Sequence, residues 1–255
     1  MSERKAARRP PARLYLDVTN ACQLSCRHCS LGSGAALADE LTLPEIGDLI
    51  DQAAAMGVRS LVLSGGEPML RTDLFDVIAR ARAQGLAVTL LTNGLCVDRR
   101  AAVHLAGTGV RVKVSLDGVS AGTHDALRGE GTFARTIRAL GLLRSAGVDG
   151  LAVHWTLHRG NCAELHRLPA LLAQLRIGDL VVGTVKAAGR AALNPGLLIP
   201  PAMVPYLSMQ VAALARRAGI RLARFTDRCG EGFGCPAVCG KFGITAGGRV
   251  TGCVF

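Results

Sequence analysis

Short apolar runs rich in β-branched residues alternate with longer helical patterns along most of the chain. Six runs predict strands: Leu14–Val18, Ser60–Leu63, Ala87–Leu91, Val110–Ser115, Leu151–Leu157 and Leu180–Val185. Apolar residues three and four positions apart predict six helices: Leu43–Met56, Leu74–Gln84, Arg99–Ala106, Phe133–Ala146, Cys162–Leu175 and Ala202–Ala218. Boundary signals agree with these elements, since Thr42 and Glu45 form a capping-box pattern and Gly57 and Gly85 follow helix ends.

Six β-α units in series predict an α/β fold with a parallel sheet and right-handed crossovers. The sheet is either open and doubly wound or a barrel with fewer than eight strands. In both forms, reactive groups collect at the carboxyl ends of the strands. From Arg221 onward the pattern changes to a segment rich in glycine and cysteine. We expect this segment to form a separate small module.

Composition narrows the class of protein and its partners. No apolar run approaches the roughly 20 residues that span a bilayer, and no signal-peptide stretch follows the basic N-terminus. We therefore expect a soluble, cytoplasmic protein with no membrane partner. The net charge is +11, but the arginines are spread along the chain without interleaved aromatic residues. A nucleic-acid partner is accordingly not expected.

Seven of the nine cysteines fall into two groups, which in a chain without a secretory signal points to metal or redox chemistry. The first group, Cys22, Cys26 and Cys29, follows the first predicted strand. A structural zinc site needs a fourth ligand, and His28 is adjacent to Cys29 instead of two to four residues away. Three cysteines on one loop bind three irons of a cubane cluster and leave the fourth iron open. The pattern therefore favours iron.

The C-x3-C-x2-C spacing after strand one resembles the signature of the radical S-adenosylmethionine (SAM) superfamily. The segment Ser64-Gly65-Gly66-Glu67-Pro68 is similar to the family segment that holds the amino group of SAM. Glycines without Cβ atoms allow backbone carbonyls to approach an ammonium, and Glu67 adds a carboxylate. The resemblance implies a partial (β/α)6 TIM-like barrel, a [4Fe-4S] cluster on the three cysteines, and SAM as cofactor.

Other segments resemble the same family at the ends of later strands. They are Thr92-Asn93-Gly94 at the barrel mouth, and Lys113 to Gly118 followed by His124, Asp125 and Arg128. The resemblance implies that Ser115 contacts the ribose or methionine part of SAM and that Arg128 faces its carboxylate. Asn93 and Asp117 are also expected to bind the cofactor. Looser matches at Val153–Asn161 and Lys186–Arg190 correspond to adenine and methionine contacts.

The second cysteine group consists of Cys229, Cys235, Cys239 and Cys253. A predicted hairpin, with strands at Gly243–Thr245 and Arg249–Thr251, would return Cys253 to the other three. The spacing resembles the opening of the SPASM and twitch auxiliary-cluster modules, although a full SPASM module has more cysteines. The resemblance implies one further [4Fe-4S] cluster, and structural zinc is the alternative because four thiolates also satisfy zinc.

The resemblance implies three regions: a basic tail at 1–12, a radical SAM core at 13–198, and a linker helix with the auxiliary segment at 199–255. It implies reductive cleavage of SAM to a 5′-deoxyadenosyl radical for modification of a peptide or peptide-derived product, with a reductase or flavodoxin-type electron donor. The alternatives are a small-molecule rearrangement in cofactor synthesis, resembling the molybdenum-cofactor GTP cyclase, and a metal-binding scaffold without turnover. No residue that donates or quenches a hydrogen atom is assigned.

Overall fold

The computed structural model describes residues 11–225 and 240–252. Within these ranges, one sheet contains strands β1 Arg13–Thr19, β2 Ser60–Gly65, β3 Ala87–Thr92, β4 Arg111–Ser115, β5 Ala152–Leu157, β6 Asp179–Thr184, β7 Arg221–Phe225, β8 Lys241–Ile244 and β9 Val250–Thr251. The α-helices are α1 Leu43–Ala55, α2 Leu74–Ala83, α3 Arg99–Thr108, α4 Ala121–Arg128, α5 Thr132–Ser145, α6 Leu168–Leu175 and α7 Val204–Arg217.

The strand order identifies a partial barrel. The strands follow β7-β6-β5-β4-β3-β2-β1-β8-β9, and β1 to β7 are parallel to their neighbours. A doubly wound sheet reverses its order near the middle, because its helices cover both faces. Here the order runs without reversal from β1 to β7, so right-handed crossovers place the connecting helices on one side. The predicted α/β fold with a parallel sheet is confirmed.

The core lies between the sheet and its helices. On β1, Leu14, Leu16 and Val18 are buried and belong to the same hydrophobic cluster as Ile46 and Ile50 of α1. The intervening residues of the strand point to the concave side, as the two-residue period of a strand requires. On β1 the apolar residues therefore face the helices, whereas Arg13, Tyr15 and Asp17 face the concave side.

The structure adds a strand at each edge of the predicted six. β7 pairs in parallel with β6, and β8 pairs in parallel with β1. The predicted hairpin is present as β8 and β9, which pair antiparallel. Its first strand joins the core sheet, so these residues do not form the separate module that we expected. A domain boundary between residues 198 and 199 stays a prediction.

One predicted helix is corrected, and one helix was not predicted. Residues Cys162–Leu175 form a 3-10 segment, Cys162–Arg167, followed by α6 from Leu168, with Pro169 in the first turn of the helix. Proline suits the first turn because its missing N–H would have no intrahelical partner there. Helix α4 is absent from the prediction, because its eight residues are too few to show a clear apolar period.

One helical stretch, Pro195–Arg217, is long and apolar enough to cross a membrane when judged by length and composition alone. The structure divides it into 3-10 turns at Pro195–Leu197 and Pro201–Met203, followed by α7. The 14 residues of α7 extend about 21 Å, which is shorter than a hydrocarbon core of about 30 Å. Its buried residues, Leu207, Val211 and Ala215, face the protein.

Asp17 on the concave side of β1 is expected to lower stability when it is ionised. Burial raises its pKa to about 6, and no hydrogen bond to its side chain is present among the described residues. Its pKa in the unfolded chain is about 3.9. Its destabilising effect is therefore absent below about pH 4, grows as the pH rises towards 6, and is largest above that value. Asp17→Asn is expected to raise the free energy of unfolding by ~2 kcal/mol at pH 8.

Urea unfolding of Asp17→Asn at pH 8, 6 and 4.5 measures this effect, and the gain is expected to shrink at each step. The exposed Asp48→Asn is the control for loss of one negative charge. A gain that is equal at all three pH values would contradict the assigned cause.

Candidate active site

A cavity opens at the carboxyl ends of β1 to β6, where the sequence predicted the reactive groups. The predicted residues that line it are Cys22, Cys26, Cys29, Gly65, Gly66, Asn93, Ser115 and Arg128. Further polar side chains contribute from residues to which the sequence assigned no firm role: His28, Ser33, Ser64, His154, Thr156, Lys186 and Arg190. The structure places Glu67, Pro68 and Asp117 behind this lining instead of in it.

The cysteine loop is held by backbone contacts on both sides. The Cys22 N–H donates to the Gly34 carbonyl at 2.7 Å, which closes the base of the loop. Beyond β6, the Arg190 N–H donates to the Cys29 carbonyl at 2.9 Å, and Arg190 Nε donates to the Cys26 carbonyl at 3.0 Å. All three thiols of the loop are free and line one cavity. The loop thus presents three sulfurs to one space.

The two glycines after β2 are required by the cysteine loop. The Gly66 N–H donates to the Thr19 carbonyl at 2.8 Å, and the Glu67 N–H donates to the Ala21 carbonyl at 2.7 Å. A Cβ on Gly65 would lie 2.3 Å from the Thr19 carbonyl oxygen, and one on Gly66 would lie 2.2 Å from that of Ala21. The space that a Cβ would occupy at these two glycines is therefore filled by the backbone that leads into the cysteine loop. The sequence had predicted a close approach by a ligand at these glycines.

Glu67 faces the sheet. Its buried carboxylate accepts hydrogen bonds from Thr92 Oγ1 at 2.7 Å, from the Asn93 N–H at 2.7 Å and from the Met69 N–H at 3.1 Å. Burial raises the pKa of Glu67, and these donors oppose the rise. The carboxylate thus ties the end of β2 to the end of β3, and it is not directed at the cavity where a SAM ammonium was expected. Pro68 is buried and begins a 3-10 turn.

Asp117 is the centre of a buried polar cluster behind the cysteine loop. It accepts hydrogen bonds from Arg128 Nε at 2.5 Å and from the Thr156 N–H at 2.6 Å. His28 Nε2 lies 3.4 Å from Asp117 Oδ2 and 3.4 Å from Arg128 Nη2. Ser115, two residues before Asp117, lines the cavity. The cluster thus connects β4, α4, β5 and the cysteine loop and fixes their relative positions.

The electrostatics of the cluster keep Asp117 and Arg128 charged. Burial alone would raise the pKa of Asp117, but Arg128 and His28 hold it well below its usual range. Burial also opposes the charge on Arg128, yet Asp117 keeps its pKa above the usual value. Burial lowers the pKa of His28 to about 3. Burial raises the pKa of the Cys26 thiol, and the Arg128 charge lowers it in part.

The polar atoms at the cavity fit an iron–sulfur cluster with a polar ligand beside it. His28 Nδ1, Ser33 Oγ and Arg190 Nη2 are buried and have no hydrogen-bond partner within the described ranges. In residues 11–225 and 240–252, no three His, Cys, Asp or Glu side chains converge on a single ion. A cubane distributes three thiolates over three irons, so it suits three cysteines that share a cavity without meeting at one point.

Several predicted residues remain untested by this geometry. Cys229, Cys235, Cys239 and Cys253 lie outside the described residues, so their metal site stays a prediction. Cys96, which follows the Thr92-Asn93-Gly94 segment, accepts a hydrogen bond at its Sγ from Gln23 Nε2 at 3.4 Å.

The sequence did not indicate the central position of Asp117 or the contacts by which Arg190 holds the cysteine loop. Asn161 also supports the cluster, since its Nδ2 donates to the Asp117 carbonyl at 3.1 Å. The only sequence signal for these roles was position, because all three residues follow strands that end at the cavity. Their partners lie on other elements of the fold.

A partial barrel with three cysteines on the loop after β1 defines the radical SAM class of iron–sulfur enzymes. The family model described as the Radical SAM superfamily matches residues 16–165, and this chain belongs to that superfamily. Members bind a [4Fe-4S] cluster and SAM, and Cys22, Cys26 and Cys29 are the residues here that match the cluster signature.

Curated relatives extend the comparison. The chain is 35% identical over 181 residues to the mycofactocin maturase MftC of Mycobacterium tuberculosis, covering 71% of this chain and 46% of that protein. It is 32% identical over 224 residues to the PqqA peptide cyclase of Xanthomonas euvesicatoria, covering 84% and 58%. The chain thus spans about half the length of the curated relatives that it matches.

Among solved structures, SuiB of Streptococcus suis bound to its precursor peptide SuiA matches with a TM-score of 0.80. The sequence identity is 17%, and the match covers 96% of this chain and 60% of SuiB. At this identity the likeness concerns the fold, which agrees with the partial barrel described above.

Proposed function

We propose that this chain reductively cleaves SAM at a [4Fe-4S] cluster held by Cys22, Cys26 and Cys29, and that the resulting 5′-deoxyadenosyl radical removes a hydrogen atom from a substrate. The observation that carries the proposal is the convergence of three free thiols in one cavity at the carboxyl ends of the strands. When bound, the cluster supplies the electron for this cleavage.

The residues of the chain position the reactants and exclude water. Arg128 is only 8% exposed and lines the cavity, so its guanidinium is a fixed cation for the carboxylate of SAM. Ser115, Asn93 and the backbone at Gly65 and Gly66 border the same cavity and are our candidates for the rest of the cofactor. We assign Glu67 and Asp117 to positioning, because each is fully buried and bonded to protein groups.

We propose a peptide or a peptide-derived product as the substrate. The name of the PqqA peptide cyclase and the precursor peptide in the SuiB structure support this class. These two names favour it over the small-molecule rearrangement, and membership of an enzyme superfamily disfavours a scaffold without turnover. A reductase or flavodoxin-type donor, an auxiliary cluster on the four later cysteines, and a cytoplasmic location complete the proposal.

The test is anaerobic reconstitution of the parent and of the triple variant Cys22→Ala/Cys26→Ala/Cys29→Ala. Iron and sulfide per chain are measured together with 5′-deoxyadenosine formed from SAM under reductant. We expect about eight irons in the parent, about four in the variant, and loss of product. About four irons in the parent and none in the variant would remove the auxiliary cluster from the proposal. Iron content and product unchanged by the three substitutions would refute the proposal itself.

A further inference from the structure

Helices α3 and α5 carry a one-sided charge. Together they contain five arginines and no aspartate or glutamate. The two helices pack side by side on the outer wall of the barrel. No arginine of either helix forms an ion pair with a described residue. The acidic groups at their ends already act in the fold, since Asp98 accepts from the Ala101 N–H and Asp125 accepts from the Phe133 N–H.

Exposed residues of these two helices define one surface, which we call the α3–α5 arginine patch: Arg99, Val103, Arg135 and Arg138. Arg135 faces α3, because its Nη2 donates to the Leu95 carbonyl in the loop before α3 at 3.3 Å. Arg138 follows one turn later on the same side, and Arg99 and Val103 are likewise one turn apart on α3. Val103 is 61% exposed, so the patch presents apolar as well as basic surface.

A chain of contacts connects the patch with the cysteine loop. Leu95, which Arg135 contacts, is followed by Cys96, and Cys96 Sγ accepts a hydrogen bond from Gln23 Nε2 at 3.4 Å. Gln23 is exposed, whereas the adjacent Cys22 lines the cavity. A contact path therefore runs from the patch through Cys96 and Gln23 to Cys22, the first predicted cluster ligand.

We propose that the α3–α5 arginine patch is the docking surface for an acidic one-electron donor protein, and that the electron enters the cluster on the Cys96–Gln23–Cys22 side. This inference rests on the proposed function, which consumes one electron from outside the chain. The donor contains a low-potential flavin or iron–sulfur centre, loses one electron, and reduces the cluster by one electron. Complementary charge would orient the two proteins and speed their encounter.

The location of the patch favours a donor over the substrate. A substrate must reach the cavity at the carboxyl ends of the strands, because hydrogen abstraction requires contact with the radical. A donor needs only a short path to the cluster, because electron transfer proceeds across intervening protein. A surface on the outer wall that is connected to Cys22 through Cys96 and Gln23 meets the second requirement, and its basic charge selects an acidic partner.

The experiment measures the rate at which a pre-reduced acidic flavodoxin reduces the reconstituted cluster. The loss of the cluster's visible absorbance is recorded by stopped flow. Arg99→Glu/Arg138→Glu is compared with the parent and with Arg216→Glu/Arg217→Glu, which makes the same charge change on exposed residues of α7. We expect the patch variant to slow the second-order reduction about 10-fold at low ionic strength, with a smaller effect at high salt. Reduction by dithionite is expected to be unchanged.

Three other results would overturn the docking surface. Equal slowing in the two charge-reversed variants would mean that only net charge matters. Slowed dithionite reduction would indicate a disturbed cluster, and a raised KM for an acidic peptide with normal flavodoxin reduction would assign the patch to substrate. Failure of the parent to form 5′-deoxyadenosine with dithionite would refute the proposed function, and bleaching by flavodoxin would still test the docking surface.

Discussion

Gly66→Ala is expected to abolish incorporation of iron at the first cysteine group and to lower the free energy of unfolding by about 3 kcal/mol. The added Cβ would lie 2.2 Å from the Ala21 carbonyl oxygen and 2.6 Å from that of Asn20. Both atoms belong to the backbone, so no side-chain rotation relieves the contact. The turn after β2 must separate from the chain segment that leads into Cys22.

Anaerobic reconstitution followed by iron and sulfide analysis measures the first effect, and urea unfolding measures the second. Gly141→Ala is the matched control, because a Cβ at that position in α5 meets no atom within 4 Å. Alanine in an open helical position is expected to stabilise the protein by ~0.5 kcal/mol, without a change in iron. A Gly66→Ala protein that retains the parent's iron would show that the contact does not hold the cysteine loop.

The order of the elements and the location of the cavity were predictable because both depend on local periodicity and chain order. Apolar runs separated by helical patterns gave β1 to β6, and the carboxyl-end rule gave the cavity. The edge strand β7 was not predictable in this way. Its sequence, RLARF, has no continuous apolar run, and its extended form depends on pairing with β6, which lies more than 30 residues earlier.

The directions of the motif side chains were not predictable, because they depend on partners far away in the sequence. Glu67 was expected to face an ammonium, yet its partners Thr92 and Asn93 on β3 direct it into the protein. Asp117 was placed among the cofactor ligands, and Arg128 and Thr156 enclose it instead. A motif locates residues at the site, and the long-range hydrogen bonds decide which of them face the cavity.

Asp117→Asn is expected to lower the free energy of unfolding by about 3 kcal/mol at pH 7, because it leaves the buried Arg128 guanidinium without its counterion. Asparagine keeps the shape of the side chain, so the loss reflects charge and not volume. Asp51→Asn is the control, since the Arg80–Asp51 pair is at the surface and its removal is expected to cost less than ~1 kcal/mol.

The cost of Asp117→Asn is expected to depend on pH in a defined direction. Because Arg128 depresses the pKa of Asp117 in the folded protein, its stabilising effect is complete above the unfolded value of about 3.9 and declines as the pH falls below that value. The difference in unfolding free energy between parent and variant should therefore be constant from pH 7 to pH 5 and smaller at pH 3.

Asp117→Leu/Arg128→Leu should recover part of the lost stability, because it removes both buried charges. A difference that persists unchanged at pH 3, or a double variant less stable than Asp117→Asn, would refute the ion pair as the cause.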